Sequence, residues 1–213
     1  MNKYTFKKYQ PLSLRIWHWM NALTILGLLA TVLLRKTFLS WRTNSALIEA
    51  KLQEAGISIS ADLAKNIAVS LRDPMWNWHY NLGFVLVGLL VFRIILGVMS
   101  IAPCPGIESI KLALKFSTVP PSDKFKASHY ILVKIGYGIF YLCVFTMGVT
   151  GLVMYFKSEM GINKEISERL KEFHETMMWF FVIFASGHLL GVVVAENRQD
   201  AGLISDMING GNK

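Results

Sequence analysis

Four stretches of the chain, residues 16–34, 74–92, 135–156 and 176–195, carry no charged side chain and are dominated by aliphatic and aromatic residues. Each has about the 20 residues that an α-helix needs to cross ~30 Å of hydrocarbon. The pattern predicts an all-α membrane protein, a four-transmembrane-helix bundle forming a single domain over residues 1–213, with spans at about 16–34, 76–99, 131–156 and 176–195. An even number of crossings returns both termini to one side. The first run is no cleaved signal peptide, because its apolar core is too long and no small-residue cleavage site follows it.

Between the first two runs, residues 44–71 repeat apolar positions at helical spacing (Leu47, Ile48, Leu52; then Leu63, Ile67, Val69), interrupted at Gly56. Two short amphipathic helices, lying on the membrane surface or over the bundle, are expected there. The next connection, 100–129, holds Pro103, Pro105, Pro120 and Pro121 and reads as an extended connector. All six tryptophans stand close to span ends, where aromatic side chains anchor helices at the headgroup level.

Charge sharpens the picture without redirecting it. Charged residues are 17% of the chain, against roughly 25% in a soluble domain. The net charge of +8 flanks the spans and faces lipid headgroups, with no nucleic acid implied. Lys plus Arg count ten on each side of the membrane, six of the second ten lying in the loop 35–73. The segment before the first span carries four basic residues and no acidic one, which places the N-terminus in the cytoplasm. Two cysteines, Cys104 in a loop and Cys143 within the third run, make neither a disulfide framework nor a thiolate metal site.

Candidate chemistry lies in the histidines. His174 and His188 are fourteen residues apart, an advance of about 21 Å that falls only about 40° short of four turns, so they share a helix face at two depths. Because chain direction alternates, His18 lies on the same side as His188, and His79 on the same side as His174. Imidazole at membrane depth is costly unless partnered. Two facing pairs without Cys, Asp or Glu beside them suit axial ligation of haem iron within a bundle; zinc would usually take further ligands at each depth.

Arg93, fourteen residues after His79, returns to that helix face at the depth of the His18 and His188 pair. No acidic residue lies in any span, so a haem propionate is one partner for it; a side chain snorkelling to headgroups is the other reading. His129 opens the third span close in depth to His18 and His188. It reads either as a wet interfacial residue or as a group that hydrogen-bonds or protonates a quinone. Glycines at 83, 88 and 97 and at 136, 138, 148 and 151 would admit a flat macrocycle or close helix packing.

These residues stand in motifs: R-I-W-H-W-M-N-A-L around His18, W-H-Y-N-L-G and V-F-R-I-I-L-G around His79 and Arg93, S-H-Y-I-L-V-K-I-G-Y around His129, F-H-E-T and S-G-H-L-L-G around His174 and His188, and the tail G-L-I-S-D-M-I-N-G. Over nearly its whole length the chain resembles the bacterial di-haem cytochrome b561 family, which includes the b-type cytochrome subunits of NiFe hydrogenases and the gamma subunits of formate dehydrogenases. The two-histidine fourth span is the most specific part of the resemblance; the long loop 35–73 departs from it.

The resemblance implies two b haems, one held by His18 and His188 on the cytoplasmic side and one by His79 and His174 on the periplasmic side. A quinone site, for menaquinone or ubiquinone, would lie by His188 and the start of span three, where His129 stands. The implied protein is a multi-pass subunit of the bacterial inner membrane with both termini cytoplasmic. It would carry electrons between a periplasmic redox partner, of hydrogenase, dehydrogenase or multihaem type, and the quinone pool, as the quinone-reactive subunit of an oxidoreductase complex. Two alternatives stay open: a free-standing quinone oxidoreductase using a small diffusible donor such as superoxide, and a four-span metal-binding or transport protein.

Overall fold

The computed structural model describes residues 10–99, 101, 116, 119–198 and 202–210. Among them every regular element is helical: α1 (Leu12–Lys36), α2 (Trp41–Glu54), α3 (Ala61–Arg72), α4 (Pro74–Val98), a 3-10 turn (Pro121–Asp123), α5 (Lys124–Tyr155), α6 (Lys164–Arg198) and α7 (Leu203–Asn209). Four helical segments, Leu12–Lys36, Ala61–Val98, Ala127–Tyr155 and Lys164–Asn197, are long and apolar enough to cross a membrane. Each covers one of the spans expected from sequence to within a residue.

Two boundaries differ from expectation. The stretch from Lys124 onward is helix, not extended connector, so His129 sits within α5. Pro121 occupies the first position of the 3-10 turn, where its fixed φ favours helix and its missing N–H costs nothing. No proline follows it to stop propagation. Of the rest of that connector, Cys104 and residues 102–115 lie outside the described residues. α6 likewise starts at Lys164, well before residue 176, because Asn163 Oδ1 accepts the Ile166 N–H at 2.9 Å and caps the first turn. Its opening turns are polar, with Arg169 and Glu165 paired at 2.9 Å one turn apart.

The chain forms two compact units, Asn21–Leu86 and Met1–Met20 with Val87–Lys213. In the first, α2 and α3 are the two short helices expected between the first two spans, and they pack against each other as a hairpin. α2 ends where Gly56 adopts φ +77°, with Gly56 N–H donating to Gln53 O at 3.0 Å and Ile57 N–H to Leu52 O at 2.9 Å. That is a Schellman stop, which favours a residue without Cβ. Ser60 then caps α3 by accepting the Leu63 N–H, and Ala64 and Ala68 are fully buried. Lys65 lies over the Trp41 ring at 5.0 Å. Gly56→Val is expected to destabilise this hairpin by ~1–2 kcal/mol, the cost of a left-handed residue with a Cβ. Faster amide hydrogen exchange confined to α2 and α3 is the measurement that checks it.

α1 and α4 run antiparallel in this unit: Gly27 lies against Leu82, where an added Cβ would come within 2.9 Å of Leu82 Cδ1, and Thr31 meets His79. Arg35 donates to Arg72 O at 3.1 Å and stacks on Trp76 at 4.1 Å.

In the other unit α5 runs antiparallel to α4, with Gly148 against Val87 and Tyr141 against Arg93. It also runs antiparallel to α6, with Phe140 stacked on Phe184 at 4.7 Å and Thr150 bonded to His174. Leu132, Leu142, Ile183 and Leu190 are exposed along these helices, an apolar exterior suited to lipid. The short α7 returns to the start of α1: Arg15 donates to Ile208 O, Trp19 Nε1 to Met207 O at 3.3 Å and Gln10 N–H to Gly210 O at 3.2 Å.

Trp19, Trp78 and Trp179 are exposed near span ends, as interfacial anchors would be. Trp17 is not an anchor. It is 6% exposed, and its indole N–H donates to Leu89 O at 2.8 Å, because a buried indole must find an acceptor.

Candidate cofactor-binding site

His18, in the second turn of α1, faces His188 of α6. Their ring centroids are 6.1 Å apart and their planes are inclined at 61°. A metal–imidazole bond is about 2 Å long, so two imidazoles sharing one metal have centroids about 6 Å apart. Phe184, one turn before His188, lies parallel to its ring within 3°, and Phe180 continues the stack. Trp19 meets His18 edge-on at 5.5 Å. These aromatic contacts set ring orientation on both sides of the pair.

His79 and His174 each lie beside a threonine hydroxyl. Thr31 Oγ1 donates to Leu28 O at 2.7 Å and lies 2.8 Å from His79 Nδ1. Thr150 Oγ1 donates to Thr146 O at 2.8 Å and lies 2.8 Å from His174 Nδ1. Trp76 meets His79 edge-on at 5.7 Å, and Gly151 faces His174, where an added Cβ would make ordinary contact with Cε1 at 3.5 Å. Sequence reasoning passed over both threonines. The signal for them is a hydroxyl within an apolar span, which must be satisfied where no water reaches: Thr31 is 6% and Thr150 7% exposed.

Arg93 is 4% exposed. Its Nε donates to Tyr141 OH at 3.0 Å, and its guanidinium lies 5.7 Å from the Trp17 ring and 5.6 Å from the Tyr141 ring. It therefore does not snorkel to headgroups; the two aromatic faces hold the cation inside the protein. His129 is exposed on α5. One to two turns further on, Val133, Gly136 and Tyr137 line a cavity of about 280 Å³ together with Phe184, Gly187 and His188. Tyr137 and Gly187 were not singled out from sequence. Cys143 is a buried free thiol, and among the described residues no three His, Cys, Asp or Glu side chains gather.

Apolar helices that carry imidazoles, aromatic planes and a caged cation define a polytopic membrane protein with the donor set of a cofactor carrier. The chain belongs to the prokaryotic cytochrome b561 family, whose model matches residues 9–210. No curated protein and no solved structure matches it. Membership makes it a membrane b-type cytochrome, a haem-binding electron-transfer protein.

The residues present fit a b haem. The His18 and His188 rings have the spacing of two ligands to one metal, and Arg93 is a buried cation for a carboxylate.

Proposed function

We propose that the chain is the quinone-reactive b-type cytochrome subunit of a respiratory oxidoreductase complex, of the kind that serves a hydrogenase or formate dehydrogenase. His18 and His188 hold one haem near the cytoplasmic face, and His79 and His174 hold a second towards the periplasm. The observation that carries this reading is the 6.1 Å separation of the His18 and His188 rings. The second pair rests on helix order and on the fourteen-residue step between His174 and His188.

Held by two imidazoles, a b haem would supply one-electron transfer in place of oxygen chemistry. The chain's residues do the rest. Apolar spans would put the ligand histidines in hydrocarbon, away from bulk water, and Arg93 would compensate a propionate. The cavity beside His188 is at the small end of ligand sites, ~300 Å³, and suits the head group of menaquinone or ubiquinone. There the Tyr137 hydroxyl would donate to a quinone oxygen, and the exposed His129, two turns earlier on α5, would exchange protons with water. The basic N-terminal segment supports cytoplasmic termini in the inner membrane, which leaves the α2–α3 hairpin on the partner's side.

The test is purification in detergent followed by haem quantification and addition of a quinol. Two b haems per chain, both reduced by the quinol, are expected, and capture of the tagged protein under mild solubilisation should bring a redox subunit with it. One haem per chain, or none, defeats the reading.

A further inference from the structure

We infer that Thr31 and Thr150 are positioning residues, each fixing the tautomer of a haem-ligand histidine so that Nε2 is the nitrogen offered to iron. The inference rests on the assignment of His79 and His174 as ligands. A threonine hydroxyl has one proton, and in both cases a carbonyl of its own helix takes it: Leu28 O at 2.7 Å for Thr31, Thr146 O at 2.8 Å for Thr150. Towards the imidazole, 2.8 Å away in each case, the oxygen can then only accept. Nδ1 must carry the proton, and Nε2 keeps the lone pair that binds a metal.

The arrangement arises twice, on different helix pairs, from the same three parts: a threonine buried in one span, its own helix carbonyl, and a histidine Nδ1. In α1 and α4 the edge of Trp76 borders the His79 ring; in α5 and α6 Gly151 borders that of His174, where an added Cβ would lie at van der Waals distance from Cε1. A hydroxyl that accepts from Nδ1–H also makes the ligand more basic, which stabilises ferric iron and lowers the midpoint potential.

The test is redox titration and haem quantification of the full-length purified protein carrying Thr31→Val, Thr150→Val, and the two Ser replacements. Valine keeps the shape and removes the acceptor. Each valine variant is expected to raise the midpoint of one haem component, leave the other unmoved, and weaken haem retention by ~10-fold or more. Both serine variants should keep parental potentials. Unchanged potentials and full haem content in both valine variants would overturn the inference while leaving the haem assignment intact. Shifts in different components would separate His79 from His174 as partners and still support the hydroxyl role. A parental protein without haem overturns both.

Discussion

Replacing His188 with alanine is expected to remove one of two b haems and to stop quinol from reducing the other. Loss of a hydrogen-bond partner behind a metal ligand costs 10–100-fold in affinity, so loss of the ligand itself should exceed ~100-fold and empty the site on purification. The stacked Phe184 and Phe180 rings cannot replace it, since neither offers a lone pair. His174→Ala is the counterpart. It should empty the other site, but the haem beside the quinone cavity should still equilibrate with quinol. His188 lines that cavity, and His174 lies about 21 Å further along α6. The checks are haem per chain and the rate of quinol-driven reduction in both variants. If each retains two titrating components, the histidines are not ligands and the assignment fails.

The spans were legible because each is a long uncharged run, and lipid enforces that pattern on any helix that crosses it. The α2–α3 hairpin was legible because Gly56 breaks the apolar spacing where the backbone needs a positive φ. The helical start of α5 was not, since four prolines in one connector outweighed the fact that Pro121 can open a helix as well as end one. At the site, the histidines announced themselves through their spacing. Thr31, Thr150 and Tyr141 did not, because threonine and tyrosine are common in spans and only the facing helix reveals what each hydroxyl serves. Trp17 misled for a related reason: a tryptophan near a span end resembles an anchor until its N–H is seen on Leu89 O.

Arg93→Gln is expected to lower the midpoint potential of the haem held by His18 and His188 and to make that potential depend on pH. Reduction adds negative charge to the site, and a buried cation favours the reduced state. A unit charge about 10 Å from a redox centre contributes ~1.7 kcal/mol at an effective dielectric of 20, which is ~70 mV for one electron. Salt should not abolish the shift, because Arg93 is 4% exposed and screening acts mainly on solvent-facing charges. Glutamine also leaves the propionate without its cation, which raises the pKa of that carboxyl. On acidification the carboxyl takes up a proton and the potential recovers; as pH rises the deficit opens to its full size. Arg93→Lys should keep most of the parental potential, because it preserves the charge, while Tyr141→Phe, which removes the bond to Nε and leaves the cation in place, should move it less than Arg93→Gln does. Redox titration of the three variants from pH 6 to 8 separates these outcomes. An Arg93→Gln protein with two haems and parental potentials at every pH would mean that the guanidinium serves packing against Trp17 and Tyr141 alone.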